Sequence, residues 1–125
     1  MVSNKRHAMN KENDMEKQFL DKGFELVEDT ARRTINQGDK IMQMPFVKEP
    51  LLVIDHKSTK SIAEFKVNKK EMLDKIAHEA DLASKRLNKE CIPAITFSIF
   101  NSQKKYIILD IEDFCDLIWK AVASD

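Results

Sequence analysis

The stretch Leu51-Leu52-Val53-Ile54-Asp55-His56-Lys57 (residues 51–57) decides how the rest of this 125-residue chain is read. Four consecutive apolar residues, two of them β-branched, suit a strand covered on both faces, as in the middle of an α/β sheet. Strand side chains alternate. Leu51 and Val53 are therefore expected against one layer, and Leu52 and Ile54 against the other. The run breaks abruptly into charge. Asp55 and Lys57 then fall on one side of the sheet, about 7 Å apart along the strand. His56 points to the opposite face and reads as a packed or surface histidine, because no second histidine lies near it in sequence.

Working outward, residues 63–67 alternate weakly and suggest a further strand. Asn68 with Glu71 forms a capping box. The helix it opens, near 69–90, carries Met72, Ile76, Ala80, Ala83 and Leu87 on one face. Residues 94–100, led in by Pro93, predict a strand; 101–104 a turn; 106–109 the return strand of a hairpin. Asp110 with Asp113 caps a last helix, in which Phe114, Leu117, Ile118 and Val122 are expected to be the buried face. On the N-terminal side, residues 41–47 and 24–27 predict strands, and the polar stretch 28–39 an edge strand running into a loop. A helix over 9–22 repeats Met9, Met15, Phe19 and Leu20 at helical spacing and stops at Gly23. Residues 1–8, with Lys5, Arg6 and His7, read as a loose basic arm ahead of one domain over 9–125. The order α-β-β-β-α-β-β-α implies an α/β fold, a central mixed sheet flanked by helices.

Composition narrows the function classes. Apolar residues make up 42% and charged residues 34%, too apolar and too regularly spaced for a disordered chain. No apolar run approaches the roughly 20 residues of a membrane helix, so no membrane partner is expected. Residues 1–10 are polar and lack a signal-peptide core. Cys91 and Cys115 form no disulfide framework or metal-type cluster, which suggests reduced thiols and a cytoplasmic setting. Twenty-one basic residues balance twenty-one acidic ones. The balance is uneven: 55–75 has six lysines against four acids, and 106–125 has one lysine against five acids. One basic face remains compatible with that pattern.

The chemistry concentrates at Asp55 and Lys57. A carboxylate holds a hard cation through oxygen, and a neighbouring ammonium stabilises developing negative charge. Asp39, with 15 residues between it and Asp55, is placed to arrive from the adjacent strand of a hairpin. Two carboxylates on adjacent strands suit Mg²⁺ and leave positions open for phosphate and water. The plainer reading is a strand reaching solvent in an Asp-x-Lys that arose by chance.

Glu12, Gly23-Phe24, Gly38-Asp39 and Ile54-Asp55-His56-Lys57-Ser58-Thr59 together resemble the PD-(D/E)XK nuclease superfamily. Within it the likeness is to the small Holliday junction resolvases of archaea and phages, and it runs from about residue 12 to 83. Gly38 stands where a proline is usual, Asn36-Gln37 where many relatives have a Ser-Gly-rich loop, and Glu71 roughly where a glutamine often opens the next helix. The resemblance implies a restriction-endonuclease-like fold and Mg²⁺-dependent hydrolysis of DNA phosphodiesters, with Mn²⁺ able to substitute. Asp39 and Asp55 would bind metal, with the Ile54 carbonyl contributing. Lys57 would orient the attacking water, and Glu12 would complete the site from the first helix, with Glu16 its rival one turn on.

Arg32 and Arg33 precede the Asp39 loop, and Lys60, Lys69 and Lys70 follow the central strand; these are the candidate phosphate contacts. Each is equally well read as an ordinary solvated cation. The expected substrate is a four-way junction cut by a homodimer, since two symmetric cuts call for two sites. A phage version would work in the host cytoplasm. The alternatives are a same-fold nuclease for other DNA and a non-catalytic scaffold or DNA-binding module.

Overall fold

The computed structural model describes residues 4–30, 37–59, 69–99 and 103–123. Helix α1 (Asn4–Asp21) leads into strands β1 (Glu25–Glu28), β2 (Lys40–Gln43) and β3 (Leu51–Thr59). Helix α2 (Lys69–Leu87), β4 (Cys91–Ile99), β5 (Lys105–Ile108) and α3 (Ile111–Ala123) follow. The five strands form one mixed sheet in sequential order. β1, β2 and β3 pair antiparallel, β3 and β4 parallel, and β4 and β5 antiparallel. The single parallel step is the one that contains α2, since a parallel neighbour requires a crossover.

β3 is the interior strand expected of residues 51–57. Leu51 and Val53 pack with Ile41, Ile76, Ala80, Ala83 and Ile95. Leu52 and Ile54 pack with Met15, Met42, Ile92 and Ala94 on the other side. α2 therefore covers one face and α1 the other. β3 also runs further than its apolar residues suggest. Its parallel register with β4 continues unbroken from Leu51↔Cys91 to Thr59↔Ile99, so Asp55 and Lys57 lie inside the strand and not at its end.

The end of α1 is set locally. Gly23, at φ +94°, takes the left-handed position. The Phe24 and Gly23 amides donate to the Phe19 and Leu20 carbonyls, and the Phe19 and Phe24 rings meet at 4.8 Å. This is the Schellman arrangement with its hydrophobic contact. At the other end, α1 begins at Asn4, so residues 4–8 are helix and not a loose arm. With no glycine or proline before Gly23, helix formed over the apolar stripe propagates back through polar residues. The Asp110 cap is present, its carboxylate accepting the Asp113 amide at 3.1 Å.

The largest departure is α3. None of its residues is buried, and Phe114, Ile118 and Val122, expected to face the core, are exposed. Periodicity identifies an apolar face but not what covers it. The suggested strand at 63–67 and the cap residue Asn68 lie outside the described residues, as does the predicted turn at 101 and 102. Among the described residues, no helix is long and apolar enough to cross a membrane.

Candidate active site

Asp39 comes off the loop that opens β2, and its position is imposed by Gly38. Gly38 has φ +78°, and a Cβ there would stand 2.8 Å from the Ile54 carbonyl oxygen. Only glycine lets the chain come this close to β3. The buried Thr30 hydroxyl donates to the Gly38 carbonyl at 2.7 Å, fixing the loop from behind. The Asp39 amide then donates to the Ile54 carbonyl at 2.7 Å, and Asp39 Oδ2 accepts the His56 amide at 2.8 Å. The Ile54 carbonyl thus accepts the Asp39 amide where the two strands approach.

These bonds bring Asp39 against Asp55. Burial, a hydrogen bond between the two carboxyls and the Asp55 charge raise the Asp39 pKa to about 8; the His56 amide opposes, and the Glu12 charge adds to the rise. The two carboxyls are therefore pushed toward sharing one proton well above the ordinary carboxylate range. Lys57 Nζ lies 3.0 Å from Asp55 Oδ2, the carboxylate nearly buried and the ammonium partly open to solvent. Asp39 from the β2 approach thus feels the charge of Glu12 from α1 and meets Asp55 from β3, which in turn pairs with Lys57.

Glu16, one turn on from Glu12, is engaged by β2. Glu16 is 2.9 Å from the Lys40 ammonium, which also bonds Asp29 at 2.8 Å. Burial works to lower the Lys40 pKa, and the two acids more than offset it, leaving it raised. Lys40 is a buried tie between α1 and β2, and Glu16 belongs to it.

His56 faces away from the two acids. Its Nδ1 meets Thr96 Oγ1 at 2.7 Å and its Nε2 meets Ser98 Oγ at 2.9 Å, both from the neighbouring strand. Burial, then the charge of Lys105 and that of Lys11, lower its pKa to about 4, against the pull of Asp55. It is a neutral, packed histidine whose ring anchors the backbone amide that holds Asp39. Sequence reasoning missed Thr30, Thr96 and Ser98 in these supporting roles. The one signal for the last two is that hydroxyls at 96 and 98 alternate on a strand otherwise apolar there.

The candidate DNA contacts are only partly placed. Arg32, Arg33 and Lys60 lie outside the described residues. Lys69 opens α2. Lys70 is exposed and pairs with Asp74 at 3.0 Å within its own helix. A cavity of about 410 Å³ lies beside Phe19, Phe24, Thr96, Lys105 and Tyr106; neither Asp39 nor Asp55 lines it.

A hard cation fits the donor set. The two carboxyls are oxygen donors forced together at an electrostatic penalty that a divalent cation relieves. Among the described residues, no three carboxylate, imidazole or thiol groups are gathered closely enough to hold a metal ion. No protein-family model and no curated protein matches this chain.

Proposed function

We propose that this protein is a Mg²⁺-dependent DNA endonuclease of the PD-(D/E)XK type, resolvase-like in its preference for four-way junctions. The observation that carries the reading is the contact between Asp39 and Asp55, delivered by separate strands, with Lys57 3.0 Å from Asp55. The element order on which the resemblance rests, realised as an antiparallel β1-β2-β3 meander followed by α2 and a parallel β4, supports the same reading.

In this reading Asp39 and Asp55 hold the cation and Glu12 supports them from α1. The bound ion would supply Lewis acidity at phosphate and a more acidic water. The chain's own residues do the rest. The His56 amide fixes the Asp39 carboxyl. Asp55 orients the Lys57 ammonium, which stabilises the charge that accumulates on the phosphoryl oxygens as the bond to the attacking oxygen forms. The protein would act as a homodimer in the cytoplasm.

The test is cleavage of a four-way junction beside linear duplex, with Mg²⁺ and with chelator. Lys57→Ala is expected to cut about 10²–10³-fold more slowly, while junction affinity changes little, since one cation among several contacts phosphate. Asp55→Asn is expected to lose calorimetric Mg²⁺ or Mn²⁺ binding. Wild-type cutting by Lys57→Ala would remove the catalytic assignment.

A second reading is a non-catalytic scaffold in which Asp55 and Lys57 are simply an ion pair. The zero net charge and the internal pairing of Lys57 favour it. Junction binding without metal-dependent cutting would select it.

A further inference from the structure

α1 lies mainly over β1 and β3, and the cavity of about 410 Å³ opens between its C-terminal end and the β4–β5 hairpin. Local geometry supplies the walls. Gln18 and Lys22 stand one helical turn apart on α1 and both line it. The turn at Gly23 brings Phe24 beside Phe19. On the sheet, Thr96 pairs with Ile107 and Ser98 with Lys105, so alternation puts Ile107 and Lys105 on the face of β5 that continues Thr96 and Ser98. Two half-buried phenyl rings and Ile107, which is 45% exposed, make an apolar lining. The cations beside it are unspent. Lys40, Lys57, Lys70, Lys85 and Lys120 each pair with a carboxylate, whereas among the described residues neither Lys22 nor Lys105 has an ion-pair partner. Lys105 is also half-buried, and its charge reaches the His56 ring. A cation drawn out of water without a counter-ion carries a cost that a bound anion relieves. Asp21 is the one acid in the lining against these two lysines, which leaves the cavity positive.

We propose that this cavity is a binding site for a small aromatic anion: a planar ring lies against Phe19, Phe24 and Ile107 while its carboxylate or phosphate meets Lys22 and Lys105. The volume falls within the roughly 300–1,000 Å³ of small-molecule sites. Aromatic walls select a flat π-system, which meets them stacked or edge to face. The Gln18 amide and the Thr96 hydroxyl select hydrogen-bonding groups on the ring or its substituents, and an alkyl chain has none, which disfavours a fatty acid. Two ammonium groups from separate elements favour an anion over a neutral ring. Aryl carboxylates and nucleoside monophosphates share this chemistry. Neither Asp39 nor Asp55 lines the cavity, so the site is separate from the acid pair and stands whether or not the chain cuts DNA.

Tyr106, the only tyrosine, also lines the cavity, so fluorotyrosine incorporation gives the full chain a single fluorine resonance at the site. The probes are 2-naphthoate and deoxyadenosine monophosphate, one for each source. At least one should shift that resonance saturably, with half-saturation at about 1 mM or below, the strength expected of a ligand this small. The matching neutral compounds, 2-naphthamide and deoxyadenosine, should bind about tenfold more weakly, because the charged hydrogen bonds are lost. Lys22→Ala and Lys105→Ala should each weaken the anion by about tenfold and leave its neutral counterpart nearly unchanged. Ile107→Glu should abolish both, and Lys85→Ala, on α2, should alter neither. All four variants are expected to keep the wild-type far-ultraviolet circular dichroism. Binding of one probe alone supports the proposal and identifies the source. No saturable shift from either probe, a neutral compound bound as tightly as its anion, or unchanged affinity in both lysine variants would overturn it. So would an equal shift from inorganic phosphate or acetate, since the ring would then contribute nothing.

Discussion

Asp39, its carboxyl pressed against Asp55, titrates far above the ordinary carboxylate range, and that has consequences measurable without any substrate. Its carboxyl titrates at 3.8 by default and at about 8 in the folded protein. Between those values the unfolded chain gives up the proton and the native one retains it. This group's effect is therefore neutral below about pH 3.8, and stability is lost as pH rises toward 8. Asp39→Asn keeps an oxygen for the His56 amide and removes the titration. It is expected to be more stable than wild type by a few kcal/mol, on the order of 2–4, at pH 8 and nearly equal to it near pH 4. Urea denaturation at the two pH values measures this, and equal differences at both would contradict it. A divalent cation competes with the same proton, so Mg²⁺ or Mn²⁺ should raise Tm more at pH 8 than at pH 6 and release protons on binding below pH 8.

At the scale of elements, the site depends on how tightly β2 is drawn to β3 and to α1. Gly38→Ala places a methyl 2.8 Å from a backbone oxygen at a positive φ. It is expected to destabilise by roughly 2–4 kcal/mol, combining strain and clash. Gly23→Ala, whose Cβ would meet only the Pro45 side chain at 3.4 Å, should lose about 1 kcal/mol. A thermal or chemical melt of both variants checks the order. Lys40→Met leaves Glu16 and Asp29 facing each other without their shared cation and should cost on the order of 3 kcal/mol. These elements also show what sequence carries. The run 51–54 was legible because burial on both faces leaves a continuous apolar signature. The α2 stripe and the Asp110 cap were legible because each is a local pattern. The continuation of β3 to Thr59 was not, because polar residues say nothing of a partner strand forty positions on. The meeting of Asp39 and Asp55 followed from hairpin spacing. The preference for Glu12 over Glu16 came from the family resemblance, and the Lys40 tie of Glu16 was not legible, since both glutamates sit on one side of α1.

At the scale of the molecule, order is concentrated at β3 and thins toward the C-terminus. Leu51, Val53 and Ile54 are fully buried, while α3 has no buried residue. Hydrogen exchange should follow that gradient. Amides of residues 51–57 and 92–98 are expected to exchange slowest, near the global unfolding rate. Those of α3 should exchange among the fastest of the helical amides, and an α3 protected as strongly as β3 would contradict the gradient. The same gradient puts the acidic C-terminal region at the most loosely attached part of the fold and the acid pair near the most firmly held.

The unbroken pairing of β3 with β4 also sets a timetable. Each of its nine register pairs joins residues forty apart, Leu51 with Cys91 through Thr59 with Ile99. Such pairs form only after a long loop closes, which makes them slow relative to helices and hairpins. α2, lying within that loop, shortens the effective closure when it coils first. The β2–β3 hairpin is local and needs no such closure. The ring of His56 finds Thr96 and Ser98 only when the parallel pair zips, and the Asp39 carboxyl is fastened by the amide of that same residue. A refolding chain therefore has its meander early but acquires a competent acid pair late, in step with β4. Metal added during refolding should be captured only in that last phase.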